Sequence, residues 1–232
     1  RDSPSSKLVR VSPVCSTVRP GTWVRPSGTS TSLPDRSHLV REAARRLWFK
    51  IMCKDMALGT VVHRAIQMDP RFVTTKAPLN VDEDDLPDGE THVLSSIKDS
   101  SRPTINSLMP FAYQIADLGR QWSVLVHSRM LTYAHILDLD TKFRALLSSL
   151  PIFLRPDPTL EQLPEVRQEQ AQRPYLAMHR LIVFEAVNQR LLVLHRDDMC
   201  RGHHDEKFAY STRVAVDAAR TILSCRQQID NV

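Results

Sequence analysis

The chain has 232 residues, 42% apolar and 25% charged, which is enough for one sizeable core. Its six glycines, at positions 21, 28, 59, 89, 119 and 202, are never closer than seven residues. That spacing excludes compact Gly-rich phosphate and dinucleotide loops and the G-x-S-x-G elbow. The net charge of +5 would suggest a nucleic-acid partner, but residues 1–36 hold six basic and two acidic residues, leaving 25 against 24 in the other 196.

Residues 1–36 carry Pro4, Pro13, Pro20, Pro26 and Pro34 among many Ser and Thr. Each proline fixes φ and removes a backbone donor, so a disordered basic tail or linker is expected there. The first residue is Arg1 rather than Met, which suggests a piece of a longer protein. From residue 37 to 232 the periodic stretches are all helical, and an all-α, irregular multi-helix domain is expected. Nothing alternates with period two over a useful length.

Ser37 precedes an apolar stripe at Val40, Ala44, Leu47, Ile51, Leu58 and Val62. Its three- and four-residue steps place these on one face, which is expected to be the buried one, with Ser37 as N-cap and Gly59 near the C-terminal end. Residues 69–103 read as a long loop broken by Pro70, Pro78, Pro87-Asp88-Gly89 and Pro103, with an acidic run from Asp82 to Asp85. A second helix is expected over Leu108–Leu125, and a third from Tyr133 to Leu150, stopped by Pro151. A proline-rich connector covers 155–164. A long helix from about Glu165 to Leu194 follows, in which Pro174 is either a kink or the true start. The last helix is expected from about Phe208 to Arg226.

The cysteines, Cys15, Cys53, Cys200 and Cys225, have neither zinc-ribbon nor zinc-finger spacing, and reduced thiols are the simpler reading. No apolar run exceeds four residues, against roughly 20 for a membrane helix, so no membrane partner is expected. Asp55 lies on the apolar side of the first helix, either as a catalytic or ligand-binding acid or as a paired structural carboxylate. The second reading is favoured, because no His, Ser or Cys partner is signalled nearby. The stretch His195 to Glu206 is the densest group of metal-ligand types. A polar interhelix loop is favoured over a metal site, because adjacent His203 and His204 would diverge by roughly 100° on a helix. Its His-Arg-Asp string lacks the kinase Asn, with Gly202 in that place. The acidic run lacks EF-hand spacing.

The string Arg45-Arg46-Leu47-Trp48-Phe49-Lys50-Ile51-Met52-Cys53-Lys54-Asp55 resembles the hallmark of the fungal transcription factor regulatory domain. This is the middle homology region of zinc binuclear cluster regulators, of the xylanolytic activator type. Asp69 to Lys76, Ala77-Pro78-Leu79-Asn80-Val81-Asp82 and Asp84-Asp85-Leu86 are similar to the loop that follows the hallmark. Leu191 to Arg196 is similar to a Leu-His-Arg box, and Tyr210-Ser211 with Ala218-Ala219-Arg220 to the helix after it. The resemblance spans about residues 41–226.

The sequence departs from that pattern in three places. No six-cysteine cluster is present, the preceding helices are replaced by residues 1–36, and the family's Gly-Arg-Pro reads His63-Arg64-Ala65. The resemblance implies a nuclear, non-enzymatic regulatory domain of an RNA polymerase II transcription factor. No cofactor is expected in this chain, zinc belonging to an absent DNA-binding cluster. The implied partners are other transcription regulators or a small-molecule effector, with DNA reached only through a missing domain and homodimerisation as a further option. Arg45, Arg46, Leu47, Trp48, Asp55, Pro78, His195 and Arg196 are carried over as structural motif residues. Trp48, Leu47 and Ile51 are expected in the core, and Asp55 is expected to pair with Arg45, Arg46 or Arg196. Two alternatives stand beside this reading: a cluster-less interaction protein that dimerises with or sequesters partners, and a helical enzyme using His195 to Glu206.

Overall fold

A computed structural model describes residues 37–61, 64, 66–69, 73, 75–82 and 102–230. The expected tail at 1–36 and most of the acidic run lie outside these residues. Among the described residues all regular structure is helical: α1 (His38–Val61), α2 (Met109–His127), α3 (Tyr133–Ser149), α4 (Pro164–Gln172), α5 (Tyr175–Met199) and α6 (Ala209–Ile229). The all-α expectation holds.

Local chemistry sets most helix ends. Ser37 Oγ accepts the Val40 N–H at 3.4 Å, as an N-cap should. Pro110 occupies the first turn of α2, where no donor is needed. The end of α2 is tied off by the Met130 N–H donating to Leu125 O at 2.9 Å, with Arg129 at φ 56°. That is a left-handed terminator, in the position glycine usually takes. Thr132 and His135 form a reciprocal capping box at the start of α3, and Leu150-Pro151 ends it. The long helix expected over Glu165–Leu194 is two helices. α4 stops at Gln172, Pro174 caps α5, and α5 runs on to Met199. The segment expected as a polar loop from His195 therefore begins five residues later, because His195 to Met199 continue α5. Short 3-10 turns at Arg201–His203 and Glu206–Phe208 then lead into α6.

α5 and α6 form the most extensive pairing, and α1 packs mainly on α2. The main core contains Phe143, Leu139, Leu150, Leu154, Leu176, Val183 and Val187, at most 2% exposed. A smaller core joins Phe49, Met52 and Met56 of α1 to Ala116 of α2. The close approach of α1 and α2 depends on Gly119. A Cβ there would lie 2.8 Å from Thr60 Oγ1.

The face of α1 is inverted relative to the sequence expectation. Val40, Leu47, Ile51 and Leu58 are 45, 60, 43 and 48% exposed, and Ala44 is exposed as well. The inward face is Phe49, Met52 and Met56, interleaved with buried Glu42, Arg46, Asp55 and Thr60. Both sides of this helix carry apolar side chains. The inward one tolerates charge because its charged groups are paired with each other and with backbone, so hydrophobic periodicity selected the wrong side.

Candidate functional site

Three places concentrate polar chemistry. The first surrounds the Arg-Arg-Leu-Trp string. Glu42, 2% exposed, is its hub: Oε2 accepts from Arg45 Nη1 at 2.6 Å, and Oε1 from Arg46 Nε at 3.1 Å and the Leu79 N–H at 2.9 Å. Arg46 Nη2 also donates to Val81 O at 3.0 Å, which accepts from Asn106 Nδ2 at 2.9 Å. The string thus straps residues 79–81 onto α1 and the turn before α2. Pro78, half-buried, leads into that strap. Asn80 Oδ1 extends it by accepting from Thr104 Oγ1 at 2.6 Å and Ser107 Oγ at 3.1 Å.

Asp55 is buried, as expected of a structural carboxylate, but its partners differ from those expected. Oδ1 accepts from Arg64 Nη2 at 2.6 Å, and Oδ2 from the Gln67 and Met68 N–H groups at 2.8 Å each. Arg45 and Arg46 are drawn to Glu42 instead, since an i, i+3 and i, i+4 pair on one helix needs no long-range ordering. Arg196 is 41% exposed and donates to Asp197 Oδ1 at 3.3 Å. Trp48 is half-buried rather than central to the core, and Leu47 faces outward.

The second place lies between α3, α5 and α6. His195, fully buried, sets Nε2 3.3 Å from Asp140 Oδ1 and Nδ1 2.9 Å from Ser211 Oγ. Ser211 Oγ is 3.2 Å from the Tyr133 hydroxyl. Asp140 Oδ2 accepts from Tyr210 OH at 2.7 Å and from Arg144 Nε at 2.9 Å. Burial alone would raise the Asp140 pKa, but hydrogen bonds from His195, Arg144 and Tyr210 outweigh it and lower it to about 2. Asp, His and Ser in contact are the ingredients of nucleophilic catalysis. Here Ser211 and His195 have no exposed surface, so a substrate carbonyl has no approach to the hydroxyl. What the arrangement does is fix the register of three helices. Among the described residues no group of three or more His, Cys, Asp or Glu side chains is placed to hold a metal ion.

The third place is a cleft of about 520 Å³ between the proline-rich connector, α5 and α6, within the size range of small-molecule sites. Pro156, Leu181 and Phe184 give it apolar walls, while Thr221, Ser224 and Gln228 of α6 offer hydrogen-bonding groups. Arg180, 3% exposed, lies on its lining. The Arg180 guanidinium donates to Phe153 O at 3.1 Å and to Gln170 Oε1, and faces Glu161 at 3.4 Å. The cleft is therefore polar but locally neutralised. Cys225 on its wall has its pKa raised by burial, with a contribution from Glu185, which keeps it a thiol.

Sequence reasoning missed Glu42, Arg64, Asp140, Ser211 and Arg180. Glu42 carried a readable signal, at i−3 and i−4 from the two arginines. Asp140 carried the same signal toward Arg144 at i+4, but the remaining contacts span 9 to 78 residues, as in Asp55–Arg64 and Ser211–Tyr133, and no spacing announces such pairs. Arg190, also missed, is 7% exposed, with Nε and Nη1 lacking any hydrogen-bond partner.

Comparison with known proteins supports the resemblance read from the Arg-Arg-Leu-Trp string. The chain is 24% identical over 206 residues to "Probable transcription factor lepB" of Aspergillus flavus, covering 85% of this chain and 36% of that protein. It is 24% identical over 194 residues to "Agnestins biosynthesis cluster transcription factor AgnL11" of Paecilomyces divaricatus, covering 80% of this chain and 26% of the relative. The chain thus spans about a third or less of the length of these relatives. No family model matches it, and no solved structure matches it.

Proposed function

We propose that this homologue of fungal transcription factors is a nuclear regulatory module of an RNA polymerase II regulator. On this reading it controls transcription by binding an effector or a co-regulator and contacts DNA only through a zinc cluster outside these 232 residues. The observation that carries the proposal is the alignment of 85% of the chain with a protein named as a transcription factor. The near balance of charge in residues 37–232 supports it, since 25 basic against 24 acidic residues provide no electrostatic footprint for a phosphate backbone.

The effector site we assign is the cleft beside Arg180. Its apolar walls and hydrogen-bonding rim suit a small organic molecule with an apolar body. Because Glu161 and Gln170 already engage Arg180, a neutral ligand suits it better than a strongly anionic one. The module is read as non-enzymatic, because its one Asp-His-Ser contact among the described residues is sealed inside the helices.

The test is a fusion of the full chain to a heterologous zinc-cluster DNA-binding domain in a fungal reporter strain. The expected result is nuclear accumulation and a reporter output different from that of the DNA-binding domain alone, altered by Ala177→Trp in the cleft. Output indistinguishable from the unfused domain overturns the regulatory reading. Output that changes with the fusion but ignores Ala177→Trp overturns only the cleft as effector site.

A further inference from the structure

The outward face of α1 carries a row of exposed apolar side chains. Val40, Ala44, Leu47, Ile51, Lys54 and Leu58 follow one another in steps of four, three, four, three and four residues. On an α-helix this is a strip roughly 80° wide, opposite the Phe49–Met52–Met56 face that packs on α2. All six are exposed, Leu47 most of the apolar ones at 60%. A 4-3 alternation of apolar residues is the seam one helix presents to another, since 3.5-residue periodicity keeps knobs facing a partner along several turns. A solvated helix face would not need it.

Charge on this face is one-sided. α1 contains two acids, Glu42 and Asp55, and both are buried and bonded inward. Lys54 stands in the seam and Lys50 at its edge, both exposed. A second copy of the same face would bring lysines toward lysines without any acid to offset them, which disfavours self-pairing. An amphipathic helix with aliphatic residues at heptad spacing and Glu or Asp beside them meets both requirements at once. Its apolar stripe covers Leu47 and Ile51, and its acids reach Lys50 and Lys54.

We infer that the Val40–Leu58 face of α1 is a docking surface for an acidic amphipathic helix supplied by a partner protein. This surface is separate from the cleft between α5 and α6, and the inference holds or fails whether or not the chain regulates transcription.

The test uses the full chain and two labelled synthetic helices of about three heptads, identical in their Leu/Ile stripe, one flanked by Glu and the other by Lys. Fluorescence anisotropy should show saturable binding of the acidic helix, and at least about tenfold weaker binding of the basic one. Leu47→Ser with Ile51→Ser should weaken the acidic helix by at least about tenfold, with an unchanged circular dichroism spectrum because both side chains are exposed. Lys50→Glu with Lys54→Glu should reverse the preference toward the basic helix while leaving the apolar stripe intact. Equal binding of the two helices, no saturable binding, or indifference to all four substitutions overturns the inference. So does a chain that dimerises in sedimentation and becomes monomeric with Leu47→Ser and Ile51→Ser, since a second copy would then cover the face.

Discussion

Asp55 in the last turns of α1 and Arg64, nine residues later, meet at 2.6 Å, while the other carboxylate oxygen of Asp55 accepts two consecutive backbone N–H groups. The carboxylate therefore acts as a clasp that turns the chain back along α1 and lays Ile66 and Met68 against the smaller core. Its two ends are unequal: Asp55 is 7% exposed, and the Arg64 side chain 38%.

That inequality predicts unequal costs. Asp55→Ala strands two amides and a guanidinium and should cost about 3 kcal/mol, whereas Arg64→Ala leaves the amides satisfied and, being well solvated, should cost about 1 kcal/mol or less. Urea unfolding of the single and double variants measures both. Asp55 and Arg64 should be coupled in the cycle, and Asp55 and Arg196 additive within about 0.5 kcal/mol. Strong coupling to Arg196 would reinstate the pairing expected from sequence.

Acid should unfold the α3–α5–α6 contact in a defined window. The folded Asp140 pKa is lowered to about 2, below its ordinary value near 3.8. Its contribution is therefore complete above about pH 4 and lost as pH falls toward 2, a loss on the order of 2 kcal/mol. Asp140→Asn should flatten stability over that window. His179 adds an earlier step of the same sign, because burial lowers its pKa and protonation then favours the unfolded chain as pH falls below about 6.5. His179→Gln should remove the early step and leave the later one. Stability measured from pH 8 to 2 separates the two.

Arg190 should be improvable. Its guanidinium is buried, two of its nitrogens have no partner, and burial lowers its pKa. Arg190→Met keeps length and flexibility while removing an uncompensated charge. The expected gain is about 1–3 kcal/mol, or roughly 2–4 °C in Tm per kcal/mol. A fall in Tm would mean that the charge has a counter-ion in solution.

Gly119→Ala should destabilise although alanine is the better helix former by about 1 kcal/mol. The new methyl would meet Thr60 Oγ1 at 2.8 Å and force α1 from α2, at a cost of about 1–3 kcal/mol. Thr60→Ala should relieve the clash, so the double variant should be more stable than the sum of the single effects predicts. Thermal melts of the four proteins decide it.

Prolines and caps are legible in residue order. Pro151 stops α3, Pro174 starts α5, and Ser37 caps α1. These are local effects, set by a fixed φ, a missing donor or a nearby hydroxyl. The resemblance carried by Arg45, Arg46, Leu47 and Trp48 is equally legible, because the order of side chains alone establishes it. What those residues do is not. Arg46 and Glu42 strap residues 79–81, Arg45 pairs with Glu42, and Leu47 points away from the core.

The helical character of the regular structure among the described residues, most of the helix ends and the similarity to fungal transcription factors follow from local backbone preferences and residue identity, so the order of amino acids sufficed for them. Packing settled the rest: which side of α1 is inside, that Asp55 holds Arg64, that His195 is sealed against Asp140 and Ser211, and that Arg180 lines a cleft. Helical periodicity gives the angle between side chains on one helix, but the partner each face meets is set by how separate helices pack. Burial is the outcome of that packing, not of composition.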